Sequence, residues 1–157
     1  MKLAEHANLT EHPELITWPE IHYVFVERIG PFMENAGAAW QQAHPHIPAL
    51  SENNTVTGYM ALYKMGPKIY RAGFALSGPP ADLPQGLAYE KFEGGKYVRF
   101  VLTGPYTDLP AASGQVWSSV AEKKISLRDD FAIENYRNDP RVTPEDQLIT
   151  HILVPTA

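Results

Sequence analysis

The chain predicts an α+β fold in which one ββαββ unit occurs twice in tandem, giving an eight-stranded antiparallel sheet and two main helices related by an approximate twofold. Three observations carry this expectation. An internal repeat runs at an offset of about 74 residues, strand and helix patterns follow in the same order in each half, and the Pro- and Gly-rich stretch SGPPADLPQG at 77–86 reads as an irregular connector. The halves then span about 13–76 and 87–155 of a single domain covering 1–157.

The repeat is modest but sustained. Tyr23, Val24, Gly30 and Pro31 recur as Tyr97, Val98, Gly104 and Pro105, and Phe32 recurs as Tyr106. An apolar strand thus ends twice in Gly-Pro-aromatic. With the offset shortened by one residue, Tyr63, Lys64 and Pro67 match Tyr136, Arg137 and Pro140. Upstream, Leu15 to Trp18 aligns with Tyr89 to Phe92, and after a short polar turn each leads into the strand with the shared Tyr-Val pair. That arrangement predicts a β-hairpin at the start of each half.

In the first half the strands fall near 14–18, 21–29, 56–64 and 68–76. In the second they fall near 88–93, 96–103, 131–137 and 147–154, where Leu148, Thr150, Ile152 and Val154 keep a period of two. Between strands two and three of each half lies a helix. Met33, Ala36, Trp40 and Ala43 mark one inward stripe, and Ser113, Val116, Trp117 and Val120 the other. A groove along the twofold, between the helices, is the natural ligand site.

Composition fits a packed globular chain, with 44% hydrophobic and 20% charged residues over 157 positions. Thirteen Lys and Arg against 18 Asp and Glu leave a net charge of -5 without a basic cluster, which argues against a nucleic-acid partner. The absence of cysteine excludes disulfides, thiolate metal sites and a cysteine nucleophile. The start MKLAEHANLTEHPEL lacks a basic segment leading into an apolar run, and no stretch is long and apolar enough to span a bilayer. A cytoplasmic protein with no membrane partner is expected.

Where two copies differ, a functional group present once stands out. Aligning FAIENYRNDP (131–140) with GYMALYKMGP (58–67) sets Glu134 against Ala61. Glu134 shares a strand face with Ala132 and Tyr136. On residue type alone it reads first as an ordinary solvent-facing carboxylate, since carboxylates are rarely buried unpaired.

The segments KYVRFVLTGPYTDLPAASGQVW and FAIENYRNDPRVTPEDQLITHILVP resemble the GyrI-like small-molecule-binding family, which includes effector-binding domains of multidrug-responsive transcription regulators. The resemblance rests on Thr103 to Tyr106 ending a strand, Glu134 and Tyr136 on a later strand, Asn138 to Pro140, and Thr143 to Glu145 before the last strand. The first half fits the family more loosely and lacks the glutamate, as the family leads one to expect. The resemblance implies two fused ββαββ, or SHS2-type, units and makes Glu134 the pocket carboxylate. A carboxylate in a partly dry aromatic pocket would favour a bulky lipophilic cation, or serve as a general base with a raised pKa.

Trp40 and Trp117 lie on the helix stripes beside the expected groove, either as pocket wall or as core. Tyr70 and Phe74 share a strand face and carry the same two readings. Tyr97 and Tyr106 flank the second strand-to-helix turn, and Tyr106 supplies a hydroxyl where Phe32 has none, either for a ligand or for a cap. The histidines His6, His12, His22, His44, His46 and His151 form no ligand spacing, so no metal is expected, and no phosphate loop, dinucleotide motif or nucleophile elbow implies a cofactor.

Three functions follow from the resemblance. The first in rank is a stand-alone protein that binds amphipathic or cationic organic compounds through Glu134, Tyr136, Trp117, Trp40, Tyr70, Phe74 and Tyr106. The second is a hydrolase opening cyclopropane rings of toxic alkylating natural products, with Glu134 as general base, and the third is a gyrase-inhibitor-like protein-interaction module. The residues before Glu14 are too few for a helix-turn-helix, so direct DNA binding is not expected.

Overall fold

The computed structural model describes residues 8–10 and 12–157; His6 lies outside them. Nine strands join one sheet: β1 (Asn8–Leu9), β2 (Glu14–Trp18), β3 (Ile21–Ile29), β4 (Val56–Lys64), β5 (Ile69–Leu76), β6 (Ala88–Phe92), β7 (Gly95–Thr103), β8 (Ala132–Tyr136) and β9 (Ile149–Pro155). Helix α1 (Phe32–Ala43) continues through a 3-10 turn into the short α2 (Ile47–Asn53), and α3 (Leu109–Glu122) follows a 3-10 turn at Tyr106–Asp108. The ββαββ order thus occurs twice. The short β1 and α2 are additions that no periodicity announced.

The strand order is β1-β7-β9-β8-β4-β5-β3-β6, with β2 also on β7, and all pairings are antiparallel. It reads the same from either end about the β4–β8 pair, as expected for duplicated units meeting through their third strands.

The expected hairpins do not form. β2 pairs with β7, from Glu14 opposite Arg99 to Trp18 opposite Gly95, and β6 pairs with β3, from Ile21 opposite Phe92 to Phe25 opposite Ala88. Each half donates its first strand to the other. The links Pro19–Glu20 and Glu93–Gly94 are crossing points where two segments of the chain pass each other. Gly94 has φ +79, and a Cβ there would run into the carbonyl oxygens of Trp18 and Pro19, so the crossing needs glycine for both its dihedral and its closeness.

The helices lie on one face of the sheet. Val24, Val26, Ala61, Tyr63, Tyr70, Ala72, Phe74 and Leu76 meet Ala39 and Ala43 of α1, while Phe100, Leu102, Ile152 and Val154 meet Ala112, Val116 and Val120 of α3. Met33 departs from the expected stripe: it is fully exposed, and Phe32 packs in its place. The inward set is therefore Phe32, Ala36, Ala39 and Ala43, which keeps helical spacing one residue earlier at the start. Helix α3 ends on Lys124 at φ +53, with the Ile125 amide bonded to the Val120 carbonyl, a left-handed terminus that satisfies the last turn.

The opposite face has its own core, built from Tyr23, Phe25, Met60, Leu62, Phe92, Tyr97, Phe131, Ile133 and Leu153. Gly73 makes room there for the Tyr23 ring, whose hydroxyl reaches the Met60 carbonyl at 3.0 Å. Tyr97 is buried on this face and donates to the Phe131 carbonyl at 2.8 Å, so it stands apart from the groove beside Tyr106. Among the described residues no helix is long and apolar enough to cross a membrane.

Candidate functional site

Period-two geometry sends Ala132, Glu134 and Tyr136 of β8 to the helix face, as it does Tyr59, Ala61 and Tyr63 of β4. The register pairs Tyr59 with Tyr136, Ala61 with Glu134 and Tyr63 with Ala132. Glu134 therefore sits beside the pseudo-twofold, under the space between α1 and α3.

The Tyr136 hydroxyl donates to Glu134 Oε1 at 2.8 Å. Trp40 Nε1 donates to the Tyr70 hydroxyl at 2.9 Å, and that hydroxyl adjoins the one of Tyr136. One polar thread thus runs from α1 over β5 to the carboxylate on β8. Burial raises the Glu134 pKa above the ordinary carboxylate value, and the Tyr136 bond offsets this only in part. Burial, and then the Glu134 charge, raise Tyr63, Tyr70 and Tyr136 as well, so these phenols remain protonated donors. Among the described residues no basic side chain shifts the Glu134 pKa. A carboxylate that is largely withdrawn from water and has no cationic partner is costly when ionised.

Aromatic rings enclose this thread. Trp40 meets Tyr136 edge-on at 5.6 Å and Phe74 at 6.2 Å, and Tyr106 meets Tyr136 at 5.5 Å. Trp117 packs at the junction of the two helix-face clusters. Glu134, Tyr136, Trp40, Tyr70, Phe74, Trp117 and Tyr106 therefore gather on one face. Phe74 is completely buried and Tyr70 nearly so; the former is core beneath the rings, and the latter contributes its hydroxyl. Tyr106 opens a 3-10 turn before α3 and does not cap it.

Sequence reasoning passed over Tyr59, Tyr63 and Phe32. Tyr59 packs edge-on to Phe74 at 5.3 Å, and Phe32 stands edge-on to both Tyr63 and Tyr70. Two of these were legible, since Tyr59 and Tyr63 flank Ala61 at a spacing of two. A cleft of about 250 Å³ opens next to Tyr63, Trp117 and Ala132 and does not include Glu134 in its walls. Among the described residues no group of three or more His, Asp or Glu could hold a metal ion.

A family model described as the GyrI-like small molecule binding domain matches residues 11–157. No curated protein sequence matches the chain. Among solved structures, the EcmrR C-terminal domain superposes with a TM-score of 0.76 at 15% identity, covering 93% of this chain and 97% of that one. In the EcmrR–DNA complex the chain spans only 57% of the EcmrR chain. SAV2435 bound to tetraphenylphosphonium gives 0.70 at 14% identity over 93% and 94% of the two chains. A hydrolase from Listeria innocua gives 0.56 at 13% identity over 92% and 91%. These likenesses show a shared fold.

Proposed function

The chain belongs to the GyrI-like small-molecule-binding family, and we propose that its ligand is a bulky, amphipathic organic cation held between α1 and α3 over Glu134. The observation that carries this reading is the half-buried carboxylate, bonded to the Tyr136 hydroxyl at 2.8 Å and, among the described residues, without a basic partner. A lipophilic cation supplies the missing charge without bringing a hydration shell of its own. The faces of Trp40 and Tyr136 add cation-π attraction. SAV2435, which shares the fold, was solved with such a cation.

The test is calorimetric titration of wild type and Glu134→Gln with tetraphenylphosphonium and a neutral isostere, tetraphenylmethane derivatised for solubility with a neutral polyether. Saturable binding of the cation, weakened at least about tenfold by Glu134→Gln, supports the reading. Equal affinity of both proteins for the cation refutes it.

A second reading is favoured by the raised pKa of Glu134, which suits a general base. Here the carboxylate takes a proton from water as the water oxygen bonds to a strained ring carbon and the ring C–C bond breaks, its electron pair passing into a carbonyl conjugated with the ring, whose oxygen then takes the proton back from Glu134. Mass spectrometry of cyclopropane-bearing compounds incubated with the two proteins separates the readings. A product 18 Da heavier, formed by wild type only, establishes turnover.

A further inference from the structure

The Glu134 thread has a counterpart across the pseudo-twofold. The β4–β8 register relates Tyr136 and Glu134 to Tyr63 and Ala61. Ala72 pairs with Ala61 as Ile152 pairs with Glu134, so Tyr70 of β5 corresponds to Thr150 of β9. Trp40 and Trp117 stand equally far from the starts of α1 and α3. The set Trp40, Tyr70, Tyr136 and Glu134 is thereby repeated as Trp117, Thr150, Tyr63 and Ala61.

In the first set Trp40 is bonded to Tyr70 and Tyr136 to Glu134. In the second, the Tyr63 hydroxyl, Trp117 Nε1 and Thr150 Oγ1 are all buried without a hydrogen-bond partner. The substitutions explain this: Thr150 is too short to meet the indole as Tyr70 does, and Ala61 offers Tyr63 no acceptor. Tyr63 is only 4% exposed; Ser113 and the Trp117 indole are close enough to favour its ionised form slightly, but neither makes a well-formed hydrogen bond with its hydroxyl. Buried polar atoms without partners are rare and costly, and apolar residues would fill the same volume. The cleft of about 250 Å³ has Tyr63, Trp117 and Ala132 in its wall together with the ion pairs Lys64–Asp129 and Arg128–Asp130, whose charges offset each other. The Tyr63–Ala132 pair lies two residues along the strands from Ala61–Glu134, roughly 7 Å away.

We propose that this second half-site is a neutral hydrogen-bonding subsite, which takes an uncharged acceptor oxygen on the same ligand whose cationic centre meets Glu134. The proposal rests on the cation reading above and narrows its ligand class. The Tyr63 O–H and Trp117 N–H donate to one carbonyl or ether oxygen. A carboxylate in this position would face Glu134 across a short gap, so neutral acceptors are selected over anionic ones. The ligand is a monocation with an oxygen acceptor about one aromatic ring from its charge.

Two probes of nearly equal shape test this: (4-acetylphenyl)triphenylphosphonium, whose carbonyl oxygen lies across one ring from phosphorus, and (4-isopropenylphenyl)triphenylphosphonium, which replaces that oxygen by a methylene. Calorimetric affinities are measured for wild type, Tyr63→Phe, Trp117→Phe and Glu134→Gln. The ketone should bind wild type about tenfold more tightly than the alkene, and Tyr63→Phe should remove that advantage. Trp117→Phe should reduce it, and Glu134→Gln should weaken both probes alike. Equal wild-type affinities with Glu134 dependence intact overturn the subsite and leave the cation site standing. A ketone preference that survives both aromatic substitutions also overturns it. Affinities indifferent to Glu134→Gln, or no binding of either probe, overturn both.

Discussion

Ala61 and Glu134 are direct cross-strand partners on β4 and β8, and each is the repeat equivalent of the other, so the pseudo-twofold passes between them. A group placed there by duplication meets its own copy. Two carboxylates at this spacing, roughly 5 Å between Cα atoms, would repel in a poorly hydrated space. One of the two had to be neutral, and Ala61, completely buried, is the neutral one. Ala61→Glu should therefore destabilise the fold by about 3 kcal/mol or more. Adding Glu134→Ala, which moves the carboxylate across the axis, should restore part of that loss. Urea unfolding of both variants checks it, and a double variant no more stable than the single one would contradict the argument.

Glu134 also sets a pH dependence. Its folded pKa is raised by burial above the ordinary value of 4.5, so the folded state favours the protonated acid. The corresponding stability is present below the unfolded value and lost as pH rises through the folded one. Without ligand, wild type should lose stability from the ordinary carboxylate range upward, and Glu134→Gln should lack that loss and be the more stable protein at neutral pH. Cation affinity runs the other way, rising across the same window as the carboxylate ionises. Thermal unfolding and calorimetry over that range measure the two trends.

The Tyr136 hydroxyl is the group that lowers the Glu134 pKa. In Tyr136→Phe the carboxyl should titrate at higher pH, and cation affinity at fixed pH should fall with the ionised fraction. Carbon-detected NMR of the glutamate carboxyls follows the titration directly. An unchanged or lower midpoint would mean that the hydroxyl bond does not hold in solution.

The exchange of first strands predicts that neither half folds by itself. β2 has its partner only in β7 and β6 only in β3. Fragments 1–80 and 81–157, cut within the connector, should each show little protected sheet alone and regain the native circular dichroism spectrum when mixed. A cooperative unfolding transition in either isolated fragment would contradict this.

Strand and helix positions were readable because a half-buried strand and a helix on a sheet impose periods of two and 3.6 on side-chain polarity. Partner choice leaves no such trace. The turns after Trp18 and Phe92 look like hairpin turns, and the β2–β7 and β3–β6 pairings, with Gly94 against the Trp18 and Pro19 carbonyls, reveal that they cross. Met33 misled for a related reason: an apolar residue at the first turn of α1 fits the stripe on paper, but Phe32 has the better approach to Tyr63 and Tyr70. Glu134 was visible because a repeat exposes its exceptions. The unpartnered atoms of Tyr63, Trp117 and Thr150 were not, since a missing hydrogen bond depends on distances between strands that are far apart in sequence.

The account turns on where a cation sits relative to Glu134, and a crystal structure with tetraphenylphosphonium bound measures that directly. The predicted result places phosphorus over the Glu134 carboxylate, with phenyl rings against Trp40, Trp117 and Tyr136 and the Tyr136 hydroxyl still on Glu134. A cation bound elsewhere, with the Glu134 surroundings unchanged from the ligand-free state, would contradict it.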